Sequence, residues 1–155
     1  MATESSLLAV TDRAAPIRVL IVDDHVPTRA LIRTILEAEK GEQFEVFEAG
    51  TGTECLKAAD KQGPFDLILL DVNLPDMDGY SVCRALRHVD KKVPIVFVTA
   101  KGDLKDYTAG REAGGDSYLV KPIAHEALLR SLEAIGIPLH RIAGLKVLLV
   151  GEEAL

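Results

Sequence analysis

The 155-residue sequence predicts an α/β fold, a doubly wound sheet of five parallel strands with helices on both faces. Three observations carry this prediction. Four short runs are apolar on consecutive positions: IRVLIV (17–22), FDLILL (65–70), PIVFV (94–98) and SYLV (117–120). Continuous apolar runs suit strands covered on both faces, which is the situation of a parallel sheet. Between the runs lie segments with helical apolar spacing, and directly beyond the runs stand acids, a threonine and a lysine.

Each element has a local reason. After the first strand, PTRALIRTILEAE opens with Pro27 at a favourable first-turn position and sets Leu31, Ile32, Ile35 and Leu36 on one face. FEVFEA (44–49) alternates and reads as an edge strand. The helix from Thr51 begins with a Thr-x-x-Glu capping box completed by Glu54. Further helices are read at 78–89, 103–113 and 123–135, the last buried along Leu128, Leu129, Leu132 and Ile135. Gly114-Gly115-Asp116 reads as the turn into the fifth strand. Parallel neighbours joined by helices require right-handed crossovers, so strict alternation leads to helices on both sides of one sheet.

Composition narrows the function classes. The chain is long enough for one domain with a core and too short for two. A formal charge of -6 gives no footprint for phosphate backbones, so direct nucleic-acid binding is not expected. No apolar run approaches the ~18 residues that a membrane span needs, and the first residues lack the basic region of a secretion signal. Cys55 and Cys83 have neither metal-ligand nor disulfide spacing and read as buried, reduced thiols of a cytoplasmic protein.

In open parallel sheets the ligand site lies beyond the carboxyl ends of the strands, where the winding reverses. Asp23 and Asp24 follow the first strand, Asp71 the third, Thr99 the fourth, and Lys121-Pro122 the fifth. Three converging carboxylates raise one another's pKa unless a cation holds them ionised. Oxygen ligands without histidine or cysteine point to Mg2+, with Asp24 and Asp71 as direct ligands and Asp23 as a direct or water-mediated one. A metal, a lysine and a hydroxyl donor together suit phosphoryl transfer, with the central Asp71 as the nucleophile.

The motifs VLIVDDHVPTR, LILLDVNLPDMDGY, PIVFVTAKGD and AGGDSYLVKP occur in one order over about residues 17–135. In this set the chain resembles the response-regulator receiver domains of bacterial two-component signalling. The resemblance implies a flavodoxin-like (β/α)5 sheet of order 2-1-3-4-5. It implies Asp71 as phosphoacceptor, Asp23 and Asp24 as the acidic pair, and the Asn73 backbone carbonyl as a further Mg2+ ligand. Lys121 matches the phosphate-binding lysine, Thr99 the switch hydroxyl and Tyr118 the rotating aromatic, and the Lys121-Pro122 bond is implied to be cis. Asn73 and Lys101 lie where the family tunes water access to the phosphoryl group.

The implied partner is a sensor histidine kinase or a histidine phosphotransfer protein. The implied output is a shape change on the face of the fourth helix, fifth strand and fifth helix, with homodimerisation through that face as one form. The domain is then a signalling phosphoacceptor that promotes its own phosphorylation and dephosphorylation, not an enzyme acting on other molecules. A haloacid-dehalogenase-type phosphohydrolase would need an acid two residues after its nucleophile, and Asn73 stands there instead.

Several residues read as structural. Asp76 and Asp78 are turn and helix-start residues, and His25, His88, His125 and His140 are exposed or capping. Arg29 and Arg33 sit on a polar helix face that meets the kinase in the family or is simply solvated. The expected organisation is a disordered lead over 1–15, the domain over 16–136 and a tail over 137–155. Within the tail, 145–150 echoes 17–22, which reads either as the first strand of a second receiver-like domain or as a segment packing on its own sheet edge or a partner.

Overall fold

The computed structural model describes residues 15–39, 44–100 and 104–136. Its strands are β1 (Ile17–Val22), β2 (Phe44–Ala49), β3 (Leu67–Asp71), β4 (Ile95–Thr99) and β5 (Ser117–Val120). They alternate with helices α1 (Val26–Glu37), α2 (Gly52–Gln62), α3 (Gly79–Val89), α4 (Leu104–Ala113) and α5 (His125–Ala134). All pairings are parallel, in the order β2-β1-β3-β4-β5. The expected fold and strand order are both present.

Successive residues of each central strand feed opposite cores, which is why these strands are apolar at every position. Val19 and Ile21 of β1, Leu67 and Leu69 of β3, and Val96 and Val98 of β4 pack with Ile32 and Leu36 of α1 and with Leu128 and Leu132 of α5. The intervening Leu20, Ile68, Leu70 and Phe97 pack with Cys55 of α2 and with Val82, Cys83 and Leu86 of α3. Both cysteines are buried free thiols, as expected, and burial pushes Cys55 up to about 12 and Cys83 up to about 11.

The strand ends lie slightly further along the chain than the apolar runs imply. Asp71 and Thr99 are polar, yet each is the last residue of its strand and pairs in the ladder, Asp71 with Val98 and Thr99 with Val120. Phe65 and Pro94, read as strand, fall outside it. The Lys121-Pro122 bond is cis, and so is Gly63-Pro64, for which the sequence carries no signal.

Arg29 and Arg33 correct the sequence reading. Their guanidinium groups grip the two oxygens of Glu48 on the edge strand β2, at 2.8 and 2.7 Å, and Arg29 also donates to the Asp23 carbonyl at 2.6 Å. They therefore fasten α1 to β2 and do not form a free polar face. Burial alone would raise the Glu48 pKa, but the two arginines outweigh it and hold this carboxyl below its ordinary range. Lys101, His140 and the segments 1–14 and 137–155 lie outside the described residues, so the lead and tail readings stay as expectations. Among the described residues no helix is long and apolar enough to cross a membrane.

A second arginine clamp holds the other end of the sheet. Arg87, near the end of α3, donates to the carbonyls of Gly114 (2.9 Å), Val93 (2.7 Å) and Asp90 (3.1 Å), and to the Asp116 carboxylate (3.0 Å). Asp116 in turn accepts the Ile95 N–H at 2.8 Å, so one side chain joins α3, the start of β4 and the turn before β5. Replacing it leaves three partly buried carbonyls without this donor. Arg87→Met is expected to lower unfolding stability by about 2–4 kcal/mol in urea titrations. A loss below about 0.5 kcal/mol, the scale of an ordinary surface change, would refute the clamp.

Candidate functional site

A parallel sheet places all its carboxyl ends along one edge, and the chain winds to β2 on one side of β1 and to β3 on the other. The crevice at that reversal is where a ligand site is expected. Asp23 follows β1 directly, Asp71 ends β3, Thr99 ends β4 and Lys121 follows β5. The structure thus brings together along one edge residues separated by as many as 98 positions in sequence, Asp23 to Lys121 (121 − 23).

Local bonds fix the two buried acids. The Asp23 N–H continues the sheet ladder to the Ala49 carbonyl at 3.0 Å, and its Oδ1 accepts the His25 N–H at 2.8 Å. Asp71 Oδ1 accepts the Asn73 N–H at 3.1 Å. The loop after β3 then folds back tightly: the Gly79 N–H donates to the Val72 carbonyl at 2.7 Å, and any Cβ at Gly79 would collide with the Asp71 carbonyl. Glycine is therefore required there by close approach.

Asp23 is 1% and Asp71 5% exposed, while Asp24 faces solvent, and one carboxylate oxygen from each lies within 4.8 Å of the others. Lys121 answers this charge. Its Nζ stands 2.8 Å from Asp23 Oδ2 and 3.5 Å from Asp71 Oδ2, and its N–H is anchored to the Thr99 carbonyl at 2.8 Å. For Asp71, burial and the neighbouring Asp23 outweigh the Asn73 N–H and Lys121, so its pKa lies above the ordinary carboxylate value. For Lys121, burial works against the charge, but Asp23 and Asp71 prevail and raise its pKa.

The donor set fits a hard divalent cation. Three carboxylates against one ammonium leave an excess of negative charge, and all the side-chain donors of the group are oxygen. Asp23 Oδ2 is fully enclosed, and among the described residues its polar neighbour is the Lys121 ammonium, an ion pair at 2.8 Å. It retains coordinating capacity that a cation can use.

Thr99 is 3% exposed at the end of β4, next to the Lys121 strand. Asn73 is exposed just beyond Asp71. Tyr118 is set back on the α3–α4 side of the sheet, its ring 5.3 Å from that of Phe97, so it borders the site through β5 without entering it. Asp78 caps α3 by accepting the Ser81 N–H at 2.8 Å, as read from sequence. Asp76 does more than turn the chain. Its carboxylate accepts the Thr53 hydroxyl and the N–H groups of Gly52 and Thr53, which tie the loop after β3 to the start of α2 and hold Asp76 down to about 2. His25 contacts Thr28 and His125 contacts Glu39, each at 2.8 Å, and His88 is exposed, so none of the three belongs to the acidic group.

Known proteins share both the sequence pattern and this architecture. Residues 19–133 match the family model of the response regulator receiver domain. The chain is 41% identical over 117 residues to the DNA-binding response regulator MtrA of Mycobacterium tuberculosis, covering 76% of this chain and 49% of that one. It therefore spans about half the length of the curated relatives it matches. Among solved structures, a response regulator from Chloroflexus aurantiacus superposes with a TM-score of 0.72 at 35% identity, covering 78% of this chain and 98% of that one. The receiver domain of the sensor histidine kinase PA1611 of Pseudomonas aeruginosa, solved with a magnesium ion coordinated in its active site cleft, superposes at 0.69 with 30% identity, covering 79% and 99%. The motif order, the sheet order and these likenesses agree: the chain belongs to the response regulator receiver domain family of two-component systems.

Proposed function

We propose that this receiver accepts a phosphoryl group on Asp71 from the phosphohistidine of a sensor kinase or phosphotransfer protein. The observation that carries the reading is the Asp71 carboxylate, buried at a strand end between Asp23 and the Lys121 ammonium. In the transfer, an Asp71 oxygen forms the new O–P bond as the P–N bond to the donor imidazole breaks. The electron pair of that bond stays with the imidazole. Lys121 supplies positive charge to the phosphoryl oxygens, and Thr99 supplies a hydroxyl donor. Asp23, Asp24, Asp71 and the Asn73 carbonyl would hold Mg2+, which neutralises charge on the transferring group. Water later attacks the acyl phosphate, so the domain promotes both its own loading and its own discharge and turns over no other substrate.

The readout follows from a differential partner. A phosphoryl group on Asp71 draws the Thr99 hydroxyl inward, and the Tyr118 ring takes the adjoining space. The face of α4, β5 and α5 then changes shape for a partner, for a further domain of the whole protein or for a second copy. MtrA is a DNA-binding protein by name, but the region shared with it is about half its length, and the acidic charge of this chain disfavours nucleic acid as its own direct partner. The setting we propose is the cytoplasm, where the phosphohistidine donors act.

Intact-mass spectrometry after incubation with Mg2+ and acetyl phosphate or phosphoramidate is expected to show one added phosphoryl group, lost without Mg2+ and in Asp71→Asn. An unmodified wild type, or an equal adduct on Asp71→Asn, would sink the proposal. The crowding of charge also predicts a pH signature. A carboxyl whose pKa is raised on folding favours the fold only below its unfolded value, and that contribution is lost as pH rises through the folded value. Asp71→Asn is therefore expected to unfold at higher urea than wild type at pH 7. The gain should vanish below about pH 3.9, where the aspartate is neutral in both states. A destabilised Asp71→Asn at pH 7 would contradict the electrostatics described for the site.

A further inference from the structure

Gly110 lies inside α4, where glycine weakens a helix relative to alanine. A local weakness of this kind calls for a reason in the packing. The reason is Tyr118. A Cβ at Gly110 would stand 2.5 Å from the Tyr118 hydroxyl oxygen and 2.7 Å from its Cε1. No alanine fits while the ring points inward, so the missing side chain is the space that the ring occupies.

Among the described residues, aromatic rings from three elements line that space. Phe97 of β4 lies 5.3 Å from the Tyr118 ring, and Tyr107 of α4 flanks it at 5.4 Å. Tyr80, at the start of α3, packs its ring edge-on against the same Phe97 at 5.2 Å. Its hydroxyl then meets the Tyr118 hydroxyl at 2.9 Å, one donating to the other. The bond is made with Tyr118 turned in toward Phe97, against which Tyr80 also packs.

We propose that Tyr80 and Gly110 are positioning residues for the switch: the Tyr80 hydroxyl latches Tyr118 inward, in a slot that Gly110 leaves open, and so biases the domain toward the ring-in state that a phosphoryl group on Asp71 would also favour. The inference rests on the reading of Tyr118 as the moving aromatic. An interaction made in one of two states shifts the equilibrium toward that state by its own strength. Whatever holds the ring in also strengthens binding at the Asp71 end, since the effect is reciprocal. One tyrosine pair at the strength of an ordinary hydrogen bond corresponds to about a two- to tenfold effect. The sequence spacing of 38 residues between the two tyrosines hides the pair until the fold is known.

The test combines two readouts on wild type, Tyr80→Phe, Gly110→Ala, Tyr118→Phe and the double variant Tyr80→Phe/Tyr118→Phe. The first is the nuclear Overhauser contact from the Tyr118 ring to the Gly110 Hα and the Phe97 ring, recorded without any phosphoryl mimic. The second is the affinity for beryllofluoride with Mg2+, with Asp71→Asn as the blank. The expected results are weakened ring contacts in Tyr80→Phe and their loss in Gly110→Ala. Beryllofluoride affinity should fall about two- to tenfold in Tyr80→Phe, at least as far in Gly110→Ala, and no further in the double variant than in either single one. Gly110→Ala improves helix propensity, so weaker binding by a variant at least as stable as wild type excludes general damage.

Unchanged ring contacts in both Tyr80→Phe and Gly110→Ala would overturn the latch. Displaced rings with unchanged beryllofluoride affinity would overturn its link to the acceptor site. A wild type that fails to bind beryllofluoride would refute the phosphoacceptor reading itself and the link with it, while the ring contacts would still decide whether Tyr80 and Gly110 place Tyr118.

Discussion

Two buried carboxylates, Asp23 and Asp71, share a single ammonium from Lys121, and much of the domain is arranged around that pairing. Burial disfavours the charged form of each group, and two acids facing each other add repulsion. Lys121 relieves part of this at 2.8 and 3.5 Å, but Asp71 still carries a raised pKa, and solvent-facing Asp24 adds a third acid at the rim. Such a site is electrostatically incomplete. Its donor set fits a divalent cation, which would supply the positive charge that Lys121 alone does not provide.

The fold makes this arrangement tolerable by fixing it from several sides. Parallel pairing delivers the strand ends to one edge, and the cores above and below the sheet hold the strands that carry them. Arg29 links the Asp23 carbonyl to Glu48, so the first acid is braced by α1 and β2 together. Asp76 fastens the loop after Asp71 to α2, and Gly79 lets that loop close against the strand end. The aromatic group around Tyr118 lies on the same side of the sheet as α3 and α4. It packs the Tyr118 ring of β5 against Phe97 and Tyr107.

What could be read from the sequence and what could not divide along physical lines. Strands buried on both faces advertise themselves as consecutive apolar residues, and the residues standing just past them were identifiable because chemistry-bearing side chains gathered only there. The strand order came through family resemblance, since apolar runs carry no information about which run pairs with which. The ends of β3 and β4 were read one residue short because Asp71 and Thr99 are polar in type although they sit in the ladder. Arg29 and Arg33 read as a polar helix face that meets the kinase or is solvated, Asp76 read as a turn residue, and Arg87 carried no signal at all. Their partners lie 15 to 29 positions away for the bonds that define them, and no local pattern records such a distance. The Tyr80–Tyr118 contact was invisible for the same reason.

Asp23, Asp24 and Asp71 form an under-neutralised cluster whose repulsion a divalent cation would relieve. Thermal unfolding of wild type and Asp23→Asn, each with and without millimolar Mg2+ at constant ionic strength, tests it most directly. Mg2+ is expected to raise the wild-type midpoint, Asp23→Asn to lose most of that Mg2+ response, and Ca2+ or high sodium not to substitute fully for Mg2+ in wild type. An equal Mg2+ response in both proteins would contradict it, because the stabilisation would then arise from ions bound away from the strand-end acids.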